Sequence, residues 1–162
     1  SWVMAPEVTF SVFGERGVID ILAFHPGRRV VLVIELKTQL VDLHELLAQV
    51  DRYRRLARQI ARGRGWNADT EGVWVVMHEA MTNRRRVAAY KSVLRVALPD
   101  DGRAARRWLL DPVGRLAALS FLSDVHGQTV RGTAITPSRI RAVAEAPPER
   151  GGNTLVAASP PE

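Results

Sequence analysis

Asp20, Glu35 and Lys37 carry charge inside a stretch, Ile19 to Thr38, that is otherwise dominated by Val, Ile, Leu and Phe. Burying a carboxylate or an ammonium without a partner is costly, so three such groups in apolar runs need a physical reason. Glu35 and Lys37 stand two apart on what reads as a β-strand, so their side chains leave the same face. If Gly27 and Arg28 form a two-residue turn, Pro26 faces Arg29 and Asp20 comes directly opposite Glu35. Facing Cβ atoms of an antiparallel pair lie about 4.5–5.5 Å apart, and two carboxylates so placed repel. A divalent cation fits between them better than a side chain does. Two carboxylates with open positions for waters and phosphate oxygens suit Mg²⁺. Bound metal strengthens a water nucleophile and offsets charge on a leaving oxygen, while Lys37 could bind the attacked phosphate or orient the water. The expected chemistry is phosphodiester cleavage. It depends on register, because one slipped residue sends Asp20 to the opposite face.

Three strands and a helix must position these groups. Residues Val8–Phe13, Val18–His25 and Val30–Lys37 are rich in Val, Ile and Phe, with "GERG" (14–17) and "HPGRR" (25–29) between them. The pattern predicts a three-stranded antiparallel meander. Its third strand is apolar on both faces, which predicts a sheet covered on both sides. Asp42, with Glu45 three residues later, reads as a capping box opening a helix that Gly63 and Gly65 stop. Leu43, Leu46, Leu47, Val50, Tyr53, Ala57 and Ile60 recur at helical spacing as its core face. "GVWVVM" (72–77) predicts a buried strand, parallel to the third through that helical crossover. One helix from an N-cap at Thr82 to a stop at Pro99, a short helix in "GRAARRWLLDP" and a last strand at 116–122 follow. Residues 1–123 form the expected domain, and 124–162, poor in large apolar groups, the expected disordered tail.

An acid on one strand followed by acid-x-Lys on the next, Asp20 and then Glu35-Leu36-Lys37, resembles the PD-(D/E)xK nuclease superfamily. Ile19, not Pro, precedes Asp20. Roughly residues 8–77 follow the order of that superfamily after its first helix: meander, helix, strand. Gln49 and Tyr53 match the QxxxY pair of one branch, in which both approach the active site or the nucleic acid. The resemblance implies an α/β, restriction-endonuclease-like core: a mixed sheet with an antiparallel three-stranded meander, crossover helix and further strand, and helices on both faces. It implies Mg²⁺- or Mn²⁺-dependent hydrolysis of DNA, ahead of RNA, with Asp20 and Glu35 as metal ligands. Lys37, Gln49 and Tyr53 complete the implied active site. The first helix of the family often carries a further Glu. Glu7 is the nearest candidate here: with 14–17 as a tight loop, Glu7, Thr9 and Ser11 share the face of Asp20. Glu15, inside that loop, reads as a solvated turn residue.

The whole chain sets the wider limits. Its 162 residues suffice for one domain with a real core, and 46% hydrophobic with 25% charged residues reads as globular. No apolar run approaches the roughly 20 residues of a membrane helix, and no basic stretch precedes an apolar core as in a signal peptide. Cys 0 excludes disulfides and thiolate metal sites and agrees with an expected cytoplasmic location. A start at Ser1, just before an apolar segment, leads us to expect further chain upstream. Lys+Arg 23 against Asp+Glu 17 gives a net charge of +6, which favours a nucleic-acid partner and no membrane. Of the basic residues only Lys37 and Lys91 are lysine, so the motif holds an ammonium in a chain that otherwise uses guanidinium.

Arg52 and Arg55 lie on a crowded cationic helix face with some expectation of phosphate contacts. Arg84, Arg85 and Arg86 sit near a helix N-terminus, against its dipole, which an anionic backbone would relieve. The four His residues share no metal spacing. The alternative to a nuclease is a non-catalytic nucleic-acid-binding or regulatory domain on the same fold, attached to an upstream helix-turn-helix as in a transcriptional regulator. Its binding would be salt-sensitive and indifferent to metal.

Overall fold

The structure is a computed structural model and describes residues 1–125. The expectation of a disordered tail falls on residues outside these, apart from the two that close the last helix. The chain separates into two compact units, and the first, Ser1–Thr129, contains every described residue.

Five strands form one sheet in the order β1 (Val3–Val12), β2 (Glu15–His25), β3 (Val30–Lys37), β4 (Thr70–Met77), β5 (Leu116–Phe121). The first three are antiparallel neighbours, whereas β4 is parallel to β3 and β5 to β4. Helix α1 (Leu43–Gly63) makes the first crossover. Helices α2 (Met81–Ala89), α3 (Lys91–Ala97) and α4 (Gly102–Leu110) lie between β4 and β5, and α5 (Leu122–Val125) follows. The molecule is thus α/β with a mixed five-stranded sheet, and the meander and parallel crossover expected from the sequence are present. Among the described residues no helix is long and apolar enough to cross a membrane.

The β2–β3 hairpin has the register that the turn sequence predicts. Ile21 pairs with Ile34 and His25 with Val30, and the Arg29 amide donates to Pro26 O at 3.2 Å to close the turn. The β1–β2 hairpin differs from expectation. Its turn is Phe13-Gly14, Val12 pairs with Glu15, and β1 reaches back to Val3. Pro6 is tolerated because β1 is an edge strand, where a missing amide donor faces no neighbour. Both Phe13 and Gly14 have positive φ, 50° and 79°. A non-glycine residue with that backbone is what reading "GERG" as the loop leaves out.

β3 is buried on both faces. Val31 and Val33 join Leu46, Val50, Tyr53 and Ala57 of α1 together with Leu94 and Leu98 in the larger core. Val30 and Leu32 join Trp74, Ala105 and Trp108 in the smaller one, so helices cover both sides. Each such aliphatic side chain contributes about 1.5–3 kcal/mol on burial, which is why this strand reads as a continuous apolar run. Gly72 permits the close approach of the Trp108 ring: a Cβ there would meet the ring and Leu32 at 3.1 Å.

Helix α1 starts at Asp42, whose carboxylate accepts from the His44 and Glu45 amides at 2.7 and 3.1 Å. The single helix expected over 82–98 is two, broken at Tyr90. The N-cap of α2 is Ala80, not Thr82, and it makes no side-chain cap. Asn83 anchors the first turn of α2. Buried at 1% exposure, it accepts from the Leu40 amide and donates to Thr38 O and His78 O, fixing α2 against the ends of β3 and β4. The bend at Tyr90 then lets α3 turn Leu94 into the core.

Candidate active site

The carboxyl end of β3 and one turn of α1 build the site. Alternation along β3 puts Glu35 on the same face as Val31 and Val33, facing α1, so the residue is only 6% exposed. Three side chains compensate for the lost water. Lys37 Nζ lies 3.0 Å from Glu35 Oε1, Gln49 Nε2 donates to the same oxygen at 2.8 Å, and Tyr53 Oη donates to Oε2 at 2.9 Å. Gln49 uses its second amide hydrogen on Tyr53 Oη, at 2.7 Å. The i, i+4 spacing on α1 makes this possible, since both side chains leave one face a turn apart. Tyr53, read from the sequence as part of the core face of α1, is buried at 2% exposure. Burial first, and then the adjacent Glu35 charge, push its hydroxyl well above the usual phenol range, so it remains a neutral donor.

Asp20 is half-buried at the point where β2 leaves β3. The paired ladder ends at Ile21 and Ile34, one step before Asp20 and Glu35. Asp20 Oδ2 accepts from the Leu36 amide at 2.7 Å, so its carboxylate is held against the Glu35-Leu36-Lys37 segment. Asp20, Glu35, Lys37, Gln49 and Tyr53 therefore come together.

Glu7 does not complete them. The pairs Pro6–Ile21 and Val8–Ile19 bracket Glu7 and Asp20, but Glu7 has φ 49°, and β1 changes faces there: Ala5 is buried on one side of it, Val8 and Phe10 on the other. Glu7 itself is exposed. Among the described residues no group of three or more His, Cys, Asp or Glu is placed to hold a metal ion.

The donor set nonetheless suits a hard cation that keeps most of its waters. Asp20 and Glu35 supply carboxylate oxygens; Asp20 Oδ1 accepts no hydrogen bond among the described residues and Glu35 Oε2 accepts one. A cation is not required for charge balance at Glu35, however. Lys37 already provides a positive partner for Glu35 within the chain.

The arginines expected to meet nucleic acid have protein partners, with one exception. Arg52 and Arg55 both bind Glu15, at 3.0 and 2.9 Å, and Arg55 also binds Asp51 at 2.9 Å. Glu15 is thus a brace between β2 and α1, not a solvated turn residue. Arg55, then Arg52, holds its carboxyl below the usual carboxylate range. Arg84 binds Glu79 through two nitrogens and lies over the Phe121 ring at 4.3 Å. Arg86 donates to Leu40 O at 2.6 Å. Those contacts offset the unfavourable dipole that the sequence suggested. Arg85 is exposed and has no ion pair among the described residues. Sequence reasoning missed Asn83 and the bracing role of Glu15, since both depend on segments that meet only after folding.

Comparison with protein-family models, with curated proteins and with solved structures returned no match for this chain.

Proposed function

We propose that this chain is a metal-dependent phosphodiesterase acting on nucleic acid, DNA ahead of RNA, on a restriction-endonuclease-like core of the PD-(D/E)xK type with a QxxxY pair. One observation carries the reading: Glu35, Lys37, Gln49 and Tyr53 form a single hydrogen-bonded cluster, with Asp20 bonded to the backbone inside the same motif. A fortuitous Asp, ExK and QxxxY would have no reason to converge from three elements. Asp20 and Glu35 would hold Mg²⁺ or Mn²⁺, which supplies a more acidic water and positive charge beside the leaving oxygen. Lys37, 27% exposed at its side chain, can present its ammonium to a phosphate oxygen. Gln49 and Tyr53 fix the orientation of the Glu35 carboxylate and keep water from its buried side. Tyr53, held neutral, is a donor and not a base.

The test is cleavage of single- and double-stranded DNA and of RNA with Mg²⁺ or Mn²⁺. Cleavage should stop with EDTA and disappear in Lys37→Met, with far-UV circular dichroism unchanged. Intact substrates in every combination would reject the enzyme.

The second reading, a nucleic-acid-binding or regulatory domain without catalysis, has one observation in its favour. Glu35 is neutralised by Lys37 and hydrogen-bonded on both oxygens, so the cluster is stable electrically without a metal. DNA binding that ignores EDTA and Glu35→Gln but weakens steeply with salt would select it.

A further inference from the structure

The β1–β2 hairpin carries an aromatic residue that the fold does not need. Phe13 is 84% exposed, and its φ of 50° lies in the left-handed region. With Gly14 at φ 79° and Val12 paired to Glu15, the two residues form a tight turn with positive φ at both central positions. Asn or Asp is the usual first residue of such a turn, and a bulky side chain is strained there. Phe13 is therefore both conformationally disfavoured and hydrated, with no packing to offset either.

The rest of the hairpin is built to hold that tip in place. β2 pairs with β3 only from Ile21 to His25, so the section from Val8 to Ile19 pairs only within the hairpin. Its inner face, Val8, Phe10 and Ile19, is buried in the core that α1 shares. Glu15, next to the turn, is tied to Arg52 and Arg55 of α1, one turn or less from Tyr53. Tyr53 Oη also lies 3.3 Å from Val18 O on the same arm. The tip is thus braced to the helix that carries Gln49 and Tyr53. Arg16, beside the turn, is exposed and has no ion pair among the described residues.

We infer that the β1–β2 hairpin is a nucleic-acid arm, in which Phe13 stacks on a base and Arg16 meets the adjoining phosphate. This rests on the nucleic-acid reading above. An aromatic side chain at a protein surface stacks on any base face, and a neighbouring guanidinium complements the backbone. Strand rise also fixes the reach. Glu15 and Asp20 are five residue steps apart along β2. At about 3.3 Å each they span roughly 17 Å, a distance that takes several nucleotides of a strand to cover. Phe13 accordingly engages the strand several nucleotides from the linkage at Glu35 and Lys37.

The experiment compares the whole chain with Phe13→Asn and Phe13→Trp in EDTA, by fluorescence anisotropy on single-stranded DNA of 4 to about 12 nucleotides. Wild type and Phe13→Trp should gain affinity as length grows beyond the reach of the arm. Phe13→Asn should lose that gain, about tenfold on the longest strand, while melting at the same or a higher temperature because Asn suits the turn. Wild-type affinity of Phe13→Asn at every length overturns the arm, as does a lower melting temperature, which would make Phe13 structural. A change confined to self-association in sedimentation overturns it as well. Cleavage indifferent to residue 13 rejects the arm and leaves the nuclease; length-dependent binding through Phe13 without cleavage rejects the nuclease and leaves the arm. Absence of binding to any of these strands overturns the arm and leaves the nuclease to its own cleavage test.

Discussion

Tyr53 Oη donates to Glu35 Oε2 across 2.9 Å, joining the middle of α1 to the carboxyl end of β3. The same hydroxyl accepts from Gln49, so the two α1 side chains and the carboxylate close a three-membered ring of hydrogen bonds. Such a ring sets the direction of the Glu35 oxygens, which a lone ion pair with flexible Lys37 would not do. Orientation, more than charge balance, is what the Gln and Tyr add.

Tyr53→Phe keeps the volume and removes that donor. It leaves a buried carboxylate oxygen without its bond, and the expected loss is about 1–3 kcal/mol of stability in urea unfolding. With Glu35→Gln the combined loss should be smaller than the sum, since the two share one interaction. An unfolding midpoint equal to wild type would show that the ring carries no energy.

Glu15 gives the β1–β2 hairpin a pH dependence. Arg55 first, with Arg52, lowers its folded pKa below the usual 4.5. A lowered folded value means stabilisation that is complete above the unfolded pKa and lost as pH falls through the folded one. The melting difference between wild type and Glu15→Gln should therefore be largest near neutrality and close on acidification below about pH 4. High salt should shrink it at neutral pH, because the pairs are partly exposed. A difference constant from pH 7 to pH 3 would mean that the brace is not ionic.

Asp42→Ala tests the start of α1. Two amides lose their acceptor, at a cost of about 1 kcal/mol. Since α1 positions Gln49 and Tyr53, hydrogen exchange should accelerate in its first turn ahead of the rest. Equal protection along the helix in both proteins would count against this.

What the sequence makes legible follows the range of the interactions. The β2–β3 register is local: "HPGRR" allows one tight turn, and apolar pairing does the rest, so the approach of Asp20 to the ExK segment is readable. Gln49 and Tyr53 are readable because helical spacing places them together. The β1–β2 turn is not, because Phe13 adopts a backbone that its side chain disfavours, while "GERG" offers glycines one position later. Nor is the break at Tyr90, or the anchoring of α2 by Asn83, which reaches three backbone groups from other segments. The arginines mislead for a similar reason. Glu15 lies 37 residues from Arg52, and nothing in the local pattern joins them.

Lys37 and the proposed divalent cation would compete for one carboxylate, which gives that metal its sharpest test. Lys37 Nζ lies 3.0 Å from Glu35 Oε1, with Glu35 buried and Lys37 half-buried. Lys37→Met keeps most of the stem and removes the counter-charge. Without metal the variant should lose about 1–3 kcal/mol, less than the penalty for breaking a fully buried pair because the ammonium is partly solvated. Adding Mg²⁺ restores positive charge at the same place. Its stabilising effect should therefore be larger in Lys37→Met than in wild type; tenfold tighter binding corresponds to about 1.4 kcal/mol at saturating ion. The measurement is the melting temperature of both proteins across a Mg²⁺ titration, with Asp20→Asn in the Lys37→Met background as the control that should abolish the extra shift. Equal responses in all three proteins would leave Lys37 as the only cation at Glu35 and favour the binding domain over the nuclease.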